Sequence, residues 1–71
     1  MTNSNILHVR FGGRSLDVTF HQLDIGANFH DREIKRILSG YLGVDEALLL
    51  SYVVERHDNG NMTIRPEAIF G

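Results

Sequence analysis

The sequence predicts an α+β fold of order β-β-α-β-β, with one helix packed on a small mixed sheet. Three observations carry this reading. Two alternating runs flank Gly12-Gly13, an apolar stripe at helical spacing runs from Ile34 to Leu42, and two more alternating runs flank Asp58-Asn59-Gly60. Residues 1–71 are expected to form a single domain, because a chain of 71 residues holds no more than one. Residues 1–5 are a polar tail expected to fray.

The first hairpin is the clearest element. Ile6 to Phe11 alternates, and Arg14 to His21 alternates again. A Gly-Gly pair between such runs signals a two-residue turn, whose central residues need positive φ. That turn pairs Phe11 with Arg14, Val9 with Leu16 and Leu7 with Val18 on one face. His8 opposite Asp17, and Arg10 opposite Ser15, fall on the other. A one-residue slip would exchange the faces and expose the apolar set.

The helix comes next. Asn28 is the expected N-cap, with Asp31 and Glu33 in the first turn, where the helix dipole favours acids. Ile34, Ile37, Leu38, Tyr41 and Leu42 form the apolar stripe; Arg32, Lys35, Arg36 and Ser39 take the solvent side. Gly43 is a natural C-terminal stop. Asp45 is expected to start a short helical turn that tucks Leu48, Leu49 and Leu50 under the sheet edge.

The second hairpin depends on loop length. A two-residue Asn59-Gly60 turn would set Val54 against Arg65 and Glu55 against Ile64, placing charge on the core face. A three-residue loop, Asp58-Asn59-Gly60, instead pairs Val54 with Ile64, Arg56 with Met62, Glu55 with Thr63 and Val53 with Arg65. Tyr52, Val54, Met62 and Ile64 then share a face. The three-residue loop is therefore expected, with Gly60 left-handed beside a bulge. Strand order stays open. The last strand can lie parallel to the first in mid-sheet, but Pro66 suits an edge. Glu67 to Phe70 can add a short covering segment.

This element order resembles the β-grasp, or ubiquitin-like, superfold over nearly the whole chain. Modifiers and sulfur carriers of that group end in Gly-Gly, whose carboxylate is adenylated in a narrow channel. Here Gly71 follows Phe70, so half of that pattern is present. The resemblance implies, as an alternative function, a modifier or carrier acting through the Gly71 carboxylate.

Composition narrows the classes. Seven basic and nine acidic residues give a formal charge of −2, which argues against non-specific nucleic-acid binding and against an anionic membrane surface. There is no cysteine to build a disulfide or thiolate site, in keeping with a cytoplasmic protein. No signal peptide or membrane span is read. Such a chain buries only about 60% of its unfolded surface and seldom forms a catalytic cleft.

His8, His21 and His57 are expected on the open sheet face. They are too dispersed for one metal shell, with His21 about 13 Å along the strand from Asp17. His30 reads as surface. Ser15, His8 and Asp17 lie close together, but on a flat surface that does not exclude water. Gly12-Gly13 lacks the lysine and the following helix of a phosphate loop. No cofactor, metal or enzymatic activity is expected.

Arg10 and Arg65 on the open face suggest a second alternative, weak nucleic-acid binding. The aromatics that would stack bases, Phe11, Phe20 and Tyr52, all point to the core. The leading expectation is a non-enzymatic protein-interaction domain: an adaptor, subunit or regulator. Its face comprises His8, Arg10, Arg65 and Val53, the last being the apolar anchor. Its partner is another protein, and self-association through the sheet edges is a further route. Ile69 and Phe70 are expected to hold the terminus to the body. Phe70→Ala should then lower stability in urea denaturation by about 1.5–3 kcal/mol, while deleting Gly71 leaves the midpoint unchanged.

Overall fold

The computed structural model describes residues 5–67. Two hairpins enclose the helical part. Strands β1 (Ile6–Phe11) and β2 (Arg14–Thr19) come first, followed by a single-turn helix α1 (Phe20–Leu23) and the main helix α2 (Asp31–Leu42). A 3₁₀ turn, Glu46–Leu49, leads into β3 (Tyr52–Arg56) and β4 (Met62–Pro66). The four strands form one sheet in the order β2-β1-β4-β3. β1 and β4 are parallel, and both outer pairs are antiparallel. The fold is thus the mixed-sheet, β-grasp-like β-β-α-β-β arrangement.

Both hairpins adopt the expected registers. Phe11 faces Arg14 and Leu7 faces Val18. Gly12 and Gly13 have φ of 60° and 76°, so the turn needs left-handed backbone at both positions. In the second hairpin Arg56 faces Met62 and Val54 faces Ile64. The Gly60 N–H donates to the His57 carbonyl and the His57 N–H donates to that of Asn61, closing a three-residue loop with Gly60 at φ 91°.

The core lies between the sheet and the helices. Leu7, Val9, Val18, Met62 and Ile64 from the sheet meet Ile34 and Leu38 from α2, with Phe20, Leu23, Ile25 and Leu49 closing the sides. Full burial of an aliphatic side chain of this size contributes about 1.5–3 kcal/mol, so these contacts dominate the stability.

Several details differ from the sequence reading. β2 stops at Thr19 rather than His21. The Gln22 N–H donates to Thr19 Oγ1 and the Thr19 N–H donates to Gln22 Oε1, a reciprocal capping box that starts α1 and removes His21 from the sheet. The N-cap of α2 is His30, not Asn28; its N–H donates to Glu33 Oε1. Residues 26–29 are instead held as a turn by Phe29 N–H on the Gly26 carbonyl, with the Arg56 guanidinium donating to the carbonyls of Ala27 and Phe29 and to Asp31. The helix ends as expected at Gly43, with Gly43 N–H on Gly40 O and Val44 N–H on Ser39 O.

The buried arc of α2 is rotated toward the 3₁₀ turn. Ser39, expected in solvent, is buried and donates to the Arg36 carbonyl; Lys35 Nζ donates to Leu50 O. Tyr41, expected in the stripe, is 51% exposed. Of the three leucines only Leu49 enters the core, because 3₁₀ spacing turns Leu48 and Leu50 outward.

β4 is central, which corrects the preference for Pro66 at an edge. The chain accommodates Pro66 by ending the β1–β4 ladder early, at Val9↔Ile64, while Pro66 still faces Tyr52 of β3. Asn5, counted with the fraying tail, is fixed: its carbonyl accepts from Phe20 N–H. The expected segment over 67–70 lies, from residue 68 on, outside the described residues, as do the Ile69-Phe70 anchor and Gly71.

A Cβ on Gly60 would stand 2.8 Å from Asn5 Nδ2, whereas one on Gly12 meets nothing within 4 Å. Gly60→Val should therefore cost about 2–4 kcal/mol and Gly12→Ala about 1 kcal/mol. Urea midpoints of the two variants check this; equal midpoints would contradict it.

Candidate functional site

The side of the sheet away from α2 is the candidate surface. Strand alternation puts His8 and Arg10 of β1 there, with Ser15 and Asp17 of β2, Thr63 and Arg65 of β4, and Val53 and Glu55 of β3. Combining the three registers gives rows across the strands. Asp17, His8, Thr63 and Glu55 make one full row; past the last β1–β4 pair, Ser15–Arg10 of the first hairpin and Arg65–Val53 of the second continue separately at the same end of the sheet. All four expected surface residues, His8, Arg10, Val53 and Arg65, therefore share this face. His21 does not, since it lies on α1. Val53 is not its sole apolar residue: half-buried Ile6, opposite Thr19, is a second that the sequence reading missed. The alternation that placed His8 and Arg10 outward would have found it.

Much of the face is internally paired. His8 Nδ1 is 2.8 Å from Asp17 Oδ1. His57 Nε2 and Thr63 Oγ1 lie 2.7 Å apart. Arg65 grips Glu55 in a fork, Nε to Oε1 at 3.1 Å and Nη2 to Oε2 at 3.2 Å. The Arg65 hydrogen bond, and then its charge, hold the Glu55 carboxyl below its ordinary value of 4.5, and Glu55 in turn pushes the Arg65 guanidinium up. These are exposed cross-strand pairs, which stabilise modestly.

Arg10 differs. It is exposed and has no ion-pair partner among the described residues. It borders a cavity of about 320 Å³ formed with Phe11, Gly13, Arg14, Arg65, Pro66 and Glu67. The cavity sits where the β1–β4 ladder has ended and the two strands run on without pairing. Pro66 has no N–H to extend that ladder, and its carbonyl accepts from Arg65 Nη1 instead.

A larger cavity of about 540 Å³ lies at the start of α2, lined by His30, Arg32, Glu33, Arg36 and Glu46. Its charges are mixed in sign, and Glu33 is engaged by the His30 N–H. The basic helix face is smaller than the sequence suggested, because Lys35 is drawn to Leu50 O.

Ser15 lies beside Arg10 rather than His8, which faces Asp17. Among the described residues no three His, Asp or Glu side chains gather as metal ligands, and no helix is long and apolar enough to cross a membrane. Phe20 is buried, and Phe11 and Tyr52 face each other on the helix side with ring centroids 6.0 Å apart. No protein-family model matches the chain, and neither a curated protein nor a solved structure matches it.

The Glu55–Arg65 pair carries a pH signature. A carboxyl whose folded value is depressed stabilises the fold above its unfolded value, near 4.5, and that stability is lost as pH falls through the folded value. Arg65→Met should therefore lower the urea midpoint at neutral pH, and the gap to the parent should close below 4.5. A gap that persists unchanged in acid would show that the pair is not its source.

Proposed function

We propose that this chain is a small non-enzymatic protein-interaction domain, an adaptor, subunit or regulator, that docks through its outer sheet face. The observation that supports it best is Arg10. On a face otherwise knit by its own cross-strand pairs, it is an exposed charge without such a pair among the described residues. At the same end of the face stand Arg65 and the half-buried Val53, paired with each other. A flat face of this kind offers contact area but little exclusion of water, which suits recognition better than catalysis. The edge strands β2 and β3 are additional places where a second chain can pair. The cytoplasm is the proposed compartment, on the strength of the cysteine-free sequence.

Site-specific photo-crosslinking in cells tests the reading. A crosslinker at Val53 should trap a discrete protein, and one at the solvent face of α2, replacing Arg36, should not. Trapping only from Arg36 would move the interface to the helix. A covalent conjugate that disappears on deletion of Gly71 would replace the adaptor reading with the modifier reading.

A further inference from the structure

We infer that the cleft between the ends of β1 and β4 is a receptor for a carboxylate side chain on an extended acidic segment of a partner protein. The inference rests on the proposed docking face and specifies what docks there.

The cleft is a product of the ladder's early end. The parallel pairing stops at Val9↔Ile64, yet β1 continues through Arg10 and Phe11 and β4 through Arg65 and Pro66. Three arginines and one acid, Glu67, line the gap; the register sets Arg10 and Arg65 on the outer face and Arg14 on the helix side, so the open strand ends are flanked by positive charge from both sides. A chain of formal charge −2 thus concentrates positive charge at this one end of its sheet. Arg65 is already forked on Glu55, which leaves Arg10 and Arg14, both exposed, to receive a ligand.

Guanidinium forks match planar carboxylates, and Phe11 and Pro66 supply an apolar wall for the methylenes of a glutamate. The volume, about 320 Å³, leaves room for a glutamate side chain together with part of the extended segment that carries it. A phosphate dianion would feel Glu67 at the rim and Glu55 behind Arg65. Among the described residues the outer face offers a nucleic-acid strand no aromatic platform, since Phe11 and Tyr52 pack against each other in a tilted pair on the helix side.

Titration of the isotopically labelled full chain, residues 68–71 included, with a capped hexaglutamate peptide tests this by NMR. The amides of Arg10, Gly13, Arg65 and Glu67 should shift together. The double variant Arg10→Gln/Arg14→Gln should weaken binding by about tenfold, the loss expected for a charge-assisted contact. Arg36→Gln, which removes a charge from the helix face, should leave binding within about twofold, as expected for a distant, screened charge. An equal loss in Arg36→Gln would reveal diffuse attraction and overturn the proposal. So would absence of any shift at millimolar peptide. Tighter binding of inorganic phosphate or oligothymidylate in the same titration would overturn it in favour of a phosphate ligand. If a partner trapped at Val53 is retained undiminished by the double variant, the docking face stands and the carboxylate receptor falls.

Discussion

The parallel ladder between the first and last strands is the constraint on which the rest of this structure depends. Leu7, Val9, Met62 and Ile64 meet there, and all four are buried. Two parallel neighbours cannot be joined by a tight turn, so the intervening chain must cross over the sheet. Helix α2 makes that crossing and covers the face carrying those side chains. The outer hairpins then add one antiparallel strand to each side. The central position of β4, the single covered face and the free opposite face all follow from this one pairing.

A small core leaves the connections to be held by polar contacts. Arg56 extends from the end of β3 to two carbonyls in the loop before α2 and to Asp31, satisfying backbone acceptors that no helix or strand claims. Asn61 performs a similar service, with its Oδ1 accepting from Ile6 N–H, while Asn5 receives Phe20 N–H and packs on Gly60. The start of β1, the start of α1 and the second hairpin loop are thereby fastened to one another. Neither the Arg56 nor the Asn5 contacts involve neighbours in sequence.

The same ladder shapes the candidate site. Its termination before Pro66 leaves two strand ends unpaired in the middle of a sheet, a place normally closed by hydrogen bonds. Arg10 and Arg14 arrive there because the first hairpin is long enough to project past the last ladder pair. The charge of the face is organised by Arg65, which neutralises Glu55 and leaves Arg10 as the exposed cation at this end of the face.

Local rules were sufficient wherever one element specifies itself. The Gly12-Gly13 turn, the three-residue loop at Gly60 and both antiparallel registers were legible in the sequence, because a one-residue slip would bury charge. The outward placement of His8, Arg10, Val53 and Arg65 came with those registers. The capping box of Thr19 and Gln22 was also present in the sequence, although strand alternation through His21 masked it. What tertiary structure alone decided involves residues far apart in the chain. Ser39 and Lys35 are drawn inward because the 3₁₀ turn packs on that flank of α2, and Tyr41 is left outside for the same reason. Helix α2 starts at Asp31 because Arg56, from another strand, holds the preceding loop. The position of β4 was decided by the core's need to bury Met62 and Ile64 on both flanks, which outweighed the missing N–H of Pro66. The cleft beside Arg10 exists only because those two demands meet at one end of the sheet.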